Sequence, residues 1–212
     1  VSAADAGRRL TRKQQQERTR AELLRSAFAV LARDGLRGTS IAAVVEHAGF
    51  TKGAFYANFV SKDELLLTML EQRFEARLAE IDRAIHADAA VDEQARRAGA
   101  DFMRALGADA EWGPMIFEFA VHASHHDAFR EQLVARHRAM RDRIAALLRE
   151  RADELDWTPP VAPDVVARMT FAMAHGVALQ KLLEPDAVPD DLFGTMLSTF
   201  FAGLEATAAR RG

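Results

Sequence analysis

Residues 39–64, TSIAAVVEHAGFTKGAFYANFVSKDE, constrain this 212-residue chain more than any other stretch. Thr39 and Ser40 carry hydroxyls suited to a helix N-cap, where a side-chain oxygen accepts from an orphan amide one turn in. Ile41, Val44, Val45 and Ala48 then place apolar groups on one helical face. Gly49 is the residue type that most easily takes φ > 0 and turns the chain sharply, and Phe50 follows as a plug. Thr51 is a second N-cap and opens a helix expected over 52–58. Phe55 and Phe59, four apart, share a face and should pack inward. Ser61 and Glu64 have the spacing of a capping box for a third, longer helix.

Two short helices about a glycine turn form the pattern of a helix-turn-helix, whose second helix enters the DNA major groove. Gly53 and Ala54 are small enough for that helix to approach a duplex closely. Lys52 supplies charge, Tyr56 a hydroxyl, and Asn58 an amide able to meet a phosphate or a base edge. Lys62 lies in the first turn of the next helix, where free amides suit a phosphate.

Residues 39–65 resemble the DNA-binding signature of TetR-type transcriptional regulators. The resemblance rests on Thr39, Val44, Ala48-Gly49, Thr51, Gly53, Phe55-Tyr56, Phe59, Ser61-Lys62 and Leu65, at fixed spacing without a gap. Val45 stands where that family commonly has Ala, Ala54 where it has Thr or Ser, and Asn58 where it has His. The resemblance implies DNA binding through Thr39, Thr51, Lys52, Gly53, Ala54, Tyr56, Asn58 and Lys62. It also implies a small-molecule site in a helical body and a homodimer formed by the last two helices.

The net charge of −3 argues against a DNA partner, but its distribution argues for one. Residues 1–62 hold 11 Lys and Arg against 5 Asp and Glu, whereas the remainder holds 17 against 26. A basic N-terminal quarter on an acidic body is the footprint of a localised nucleic-acid face. Residues 1–10 read as a flexible arm, in which Arg8 and Arg9, with Arg12 and Lys13 behind them, could follow a phosphate backbone. A solubilising tail is the alternative.

With no Cys, disulfides and thiolate metal sites are excluded. No uninterrupted apolar run approaches the ~18 residues of a membrane span, and the charged N-terminus does not read as a signal peptide. A cytoplasmic protein without a membrane partner is expected.

Helical periodicity continues throughout, and no strand pattern competes with it. The first helix could start at Thr11 with Gln14 or at Thr19 with Glu22, and Asp34-Gly35 should end it. Further helices are expected over about 62–86, 91–107, the apolar stretch after Trp112-Gly113-Pro114, 127–155, 164–184 and 190–208. The fold class is therefore all-α with about nine helices. A basic arm and helix-turn-helix domain takes residues 1–61, and a helical effector-binding and dimerisation domain takes residues 62–212.

The two C-terminal helices mix small and large apolar residues, and their outer faces would leave an apolar patch on a lone chain. Phe171, Ala174, Ala178, Met196, Phe200, Phe201 and Leu204 are the candidate dimer interface. The middle helices supply Met and aromatic residues suited to an adaptable apolar cavity. Phe102, Met103, Trp112, Phe117, Phe119, His137, Met140, Met169 and Met173 are the effector-pocket candidates, and they point to a hydrophobic effector. His122 and His126 have metal-ligand spacing, but the loop-like Ser124–Asp127 favours capping or exposed histidines, so no metal is expected. Nucleophile elbows, phosphate-cradling glycine loops and H-E-x-x-H are absent, so neither enzyme nor cofactor is expected. The expected function is a ligand-responsive repressor released from a palindromic operator. An activator or ligand-independent regulator is the alternative.

Overall fold

The computed structural model describes residues 11–108 and 112–210, apart from the side chains of Ala108 and Trp112. Among these residues there are nine helices and no strand. They form two compact units, within Val1–Leu70 and Glu71–Gly212. The basic arm over residues 1–10 lies outside the described residues.

In the first unit, α1 spans Arg12–Gly38 and starts at Thr11. Thr11 and Gln14 make the reciprocal capping box, with the Thr11 hydroxyl accepting from the Gln14 backbone amide at 3.2 Å and the Gln14 side-chain Oε1 from the Thr11 backbone amide at 2.9 Å. The start at Thr19 is not used. Gly35 adopts φ 66°, ψ −179° and interrupts α1 there, as the Asp34-Gly35 pair led one to expect, but one more turn to Gly38 follows. α2 spans Ile41–Ala48, capped by the Ser40 hydroxyl on the Ala43 amide at 3.1 Å and ended by Gly49 in the left-handed region (φ 69°). α3 spans Lys52–Tyr56, shorter than expected because the chain leaves the helix at Ala57. Phe55, Phe59, Leu23, Leu31 and Val44 are almost fully buried in this unit. Each such side chain contributes roughly 1.5–3 kcal/mol of burial free energy.

α4 spans Lys62–Ile85. The Ser61 hydroxyl caps the Glu64 amide at 3.1 Å, and the Glu64 carboxylate accepts from Val60 rather than from Ser61, at 2.6 Å. The boundary between the units falls inside α4, after Leu70, and Leu65, Leu66, Leu67, Met69 and Leu70 are buried.

The second unit adds α5 (Val91–Ala108), α6 (Trp112–His125), α7 (Asp127–Glu154), α8 (Pro163–Leu183) and α9 (Leu192–Ala209). Trp112-Gly113-Pro114 forms the first turn of α6 rather than a break before it. α5 packs along α9 and α7 along α8, the two most extensive helix pairings. One core cluster joins Ala95, Met103, Val177, Val188, Phe193 and Leu197, and another joins Leu78, Met140, Ile144, Ala145 and Ala167. α9 is long and apolar enough to cross a membrane by composition, yet Phe193, Gly194, Leu197, Ser198 and Leu204 are buried in this unit.

Candidate nucleic-acid interface and effector cavity

The first unit presents the start of α3 outward. Thr51, Lys52, Gly53 and Tyr56 are exposed, and Ala54 is half-buried beside them. The Thr51 hydroxyl accepts from the Ala54 amide at 3.2 Å and fixes the first turn. Phe55 anchors the opposite face, with its ring 5.4 Å from that of Tyr56 and 5.7 Å from that of Phe59. α1 secures the far end of α3: Gln16 donates to the Ala57 carbonyl and Arg20 to the Asn58 carbonyl. The Arg20 guanidinium also lies 4.1 Å over the Phe59 ring. No local motif announces Gln16 or Arg20, since their partners lie about forty residues away in sequence.

The other three DNA-binding candidates are placed differently. Thr39 is 1% exposed, and its hydroxyl donates to the Gly35 carbonyl at 2.8 Å. The half-buried Asn58 turns its amide inward to donate to the Ala54 carbonyl at 2.8 Å. Lys62 is half-buried and donates to the Leu36 carbonyl at 3.3 Å. These three hold the helix-turn-helix frame, while Thr51, Lys52, Gly53, Ala54 and Tyr56 form its outward surface.

The second unit contains a cavity of about 450 Å³ whose wall draws on α4, α5, α7, α8 and α9. Its surface is mainly apolar, with Ile81, Phe102, Met140, Phe171, Phe193 and Phe201 among its lining. Arg77 also lines it, with Nη1 on the Glu80 carboxylate at 2.7 Å and Nη2 on the Ala98 carbonyl at 3.1 Å. The Arg77 guanidinium lies 5.0 Å from the Phe102 ring centre, and burial lowers its pKa. Arg77, Phe102, Met140, Phe171 and Ala174 also line a second cavity of about 90 Å³, which His175 and Ala178 help to close.

His137 and His175 stack with ring centres 6.0 Å apart, against Phe171 at 5.5 and 4.6 Å. Burial, and then the neighbouring His175 and Arg141, push His137 down to about 4. Burial is also the main cause that lowers His175. Both imidazoles are therefore neutral at pH 7.

Among the pocket candidates, Phe102 and Met140 line the larger cavity. Met103 and Phe119 are buried in the core, and Met173 packs against the Ala95–Leu197 cluster. Phe117 is half-buried on α6, His137 stacks on His175, and Met169 is exposed on α8. Trp112 lies outside the described side chains. Three dimer candidates, Phe171, Ala174 and Phe201, instead line the larger cavity, and Ala178 lines the smaller. Leu204 is buried, Met196 packs on the core, and Phe200 is half-buried.

The outward face of α8 is a different set. Val165, Met169, Ala172, Gly176, Leu179 and Leu183 are all exposed and recur at alternating steps of four and three. On α9, Thr195, Thr199, Ala202 and Ala206 are exposed with the same spacing. The spacing is present in the sequence, but α8 is apolar nearly all round, so periodicity alone does not say which stripe faces out.

The histidines at the α6–α7 junction pack on one another. His122 and His126 stack at 3.9 Å, and a His126 ring nitrogen meets the His122 carbonyl at 2.8 Å. Among the described residues no group of three or more His, Cys, Asp or Glu side chains is arranged to hold a metal.

A capped, outward-facing recognition helix on one unit and an apolar cavity in the other define a helix-turn-helix DNA-binding protein with a helical companion domain. Residues 23–69 match the model of bacterial regulatory proteins of the tetR family, and residues 92–205 match that of the BetI-type transcriptional repressor C-terminal domain. The chain belongs to the TetR family of DNA-binding transcriptional regulators, which are not enzymes.

The chain is 25% identical over 191 residues to the uncharacterized HTH-type transcriptional regulator YfiR of Bacillus subtilis (strain 168), covering 86% of this chain and 88% of that protein. The same fold occurs in the putative transcriptional regulator from Pseudomonas aeruginosa PAO1, with TM-score 0.74, 20% identity and 96% of each chain covered. It also occurs in the SmeT–triclosan complex, with TM-score 0.66, 23% identity, and 86% of this chain and 89% of that chain covered.

Proposed function

We propose that this regulator is a cytoplasmic homodimeric repressor that leaves a palindromic operator when a small hydrophobic molecule enters the second unit. The observation that carries the proposal is the apolar cavity of about 450 Å³, a volume within the range of small-molecule sites. The SmeT structure, of the same fold, was determined with triclosan. The match of residues 92–205 to a repressor C-terminal domain supports repression over activation.

α4 gives the ligand a lever. Its Leu65–Leu70 segment belongs to the first unit, and its Arg77 and Ile81 line the cavity. A ligand that favours one position of α4 shifts the population toward one arrangement of the recognition helices. The α8 stripe supports the dimer, because an exposed row of Val165, Met169, Leu179 and Leu183 is better covered by a second copy than by water. Two symmetry-related recognition helices would then read two half-sites.

The test is a titration of a palindromic fragment recovered from the source genome, followed by fluorescence anisotropy at several salt concentrations. Two protomers per fragment and an affinity that falls steeply with salt are expected. Binding by a single protomer, or affinity indifferent to salt, would contradict the proposal.

A further inference from the structure

The polar residues lining the larger cavity differ in what they have left to offer. Arg77 already serves Glu80, the Ala98 carbonyl and the Phe102 ring. Gln94 donates through its Nε2 to the carbonyls of Ala87 and Ala89. The Thr170 hydroxyl donates to the Ala167 carbonyl. Arg151 is different. Its Nη1 meets the Glu154 carboxylate at 2.9 Å, but its Nε is buried and has no acceptor among the described residues. A buried donor without an acceptor is costly unless something else supplies the oxygen.

From this arrangement we infer that the cavity takes an apolar carboxylic acid, with its carboxylate on Arg151 and its hydrocarbon body among the aromatic residues. The inference rests on the cavity being the effector site and adds the chemical class of the effector. A guanidinium offers Nε and an Nη side by side, the fork that a carboxylate meets with two oxygens. The existing partner is displaceable: the Glu154 side chain is 49% exposed, so its pairing with Arg151 is weak. Glu154 Oε1 also lies 3.8 Å from Nε2 of His86, an ion pair when that imidazole is protonated. Glu205 is the lining carboxylate that would instead suit an amine, but it is exposed, where water already solvates it.

Trp157 lines the same cavity and is one of two tryptophans in the chain, so intrinsic fluorescence reports occupancy. The probes are laurate, lauryl alcohol and laurylamine, with biphenylcarboxylate and biphenylmethanol as a second shape. The dimer is titrated with each, and Trp157→Phe identifies the signal. Neutral N-phenylnaphthylamine tests whether the cavity admits any apolar guest.

The expected result is that at least one carboxylate binds about tenfold or more tightly than its alcohol, the scale of a charge-assisted hydrogen bond. Arg151→Gln removes that preference, because the carboxylate loses a charged partner whereas the alcohol loses at most one neutral acceptor contact. Glu154→Gln, which deletes the competing carboxylate, widens the preference and keeps the test decisive if the Arg151 variant fails to fold. Equal binding of acids and alcohols in the wild type, or a preference for laurylamine, overturns the carboxylate assignment and leaves the effector cavity standing. Exclusion of every probe, N-phenylnaphthylamine included, removes the effector-cavity reading itself and this inference with it.

Discussion

Gly99 of α5 and Gly194 of α9 meet backbone to backbone: a Cβ built on Gly99 would lie 2.3 Å from both the Cα and the N of Gly194. Real Cβ atoms do not approach other atoms that closely, so the most extensive helix pairing of the second unit depends on two absent side chains. The two helices also carry Ala95, Phe102, Phe193 and Leu197 into the cavity wall, so the crossing sets the width of that wall.

Gly99→Ala is therefore expected to destabilise the protein despite the better helix propensity of alanine. Overpacking costs about 1–3 kcal/mol where side chains can move aside, and here the obstacle is backbone. Urea denaturation should show a midpoint loss corresponding to at least the upper part of that range. An unchanged midpoint would mean that α5 and α9 do not cross as described.

Gly53→Ala should have the opposite balance. Gly53 is exposed at the start of α3, and an added Cβ would meet only the Thr51 hydroxyl, at an ordinary 3.6 Å. Helix propensity then favours the variant by up to about 1 kcal/mol. Stability should hold or rise while operator affinity falls, because the added methyl stands between helix and duplex. A variant as stable as the parent that binds the operator equally well would remove Gly53 from the contact surface.

The legible and illegible parts of the sequence divide by the range of the interactions involved. The helix-turn-helix could be read because its determinants are local: Thr11, Ser40, Thr51 and Ser61 cap amides three residues on, and Gly49 turns the chain at φ 69°. Lys62 and Asn58 look equally available for DNA in sequence. Their acceptors, Leu36 and Ala54 carbonyls, become visible only once the chain is folded. The apolar character of α8 and α9 is plain in the sequence, but its direction is not. Phe171 and Phe201 turn into the cavity, while Ala172 and Gly176 turn out.

Leu179→Glu tests the outward stripe. Leu179 is 41% exposed on the single chain, so a carboxylate there costs a lone protomer little. At a dimer interface the same carboxylate would be buried without a partner. Sedimentation equilibrium should show a folded monomer with unchanged helix content and lost binding to a palindrome. A dimer that persists with wild-type affinity would place the interface elsewhere.

The His137–His175 pair makes stability depend on pH in a defined direction. His137 is lowered from 6.5 to about 4 in the folded chain, so between those values the unfolded chain binds the proton more readily. Its contribution is intact above pH 6.5, declines across the interval and is lost as pH falls through 4, with an upper bound of about 3–4 kcal/mol before solvent screening. His175 is lowered as well and adds in the same direction. Urea midpoints measured across this interval should fall with acidification, and His137→Leu should flatten the fall relative to the parent. Parallel pH profiles for parent and variant would mean that His137 titrates as it does in water.

The most direct test of the central claim is selection of bound fragments from the source genome by the purified protein at low salt. The expected product is an enriched palindrome whose two half-sites lie about one helical turn apart or a multiple of it. A folded dimer, freed of bound ligand, that enriches no sequence above background would contradict a DNA-reading regulator built on Thr51, Lys52, Gly53 and Tyr56.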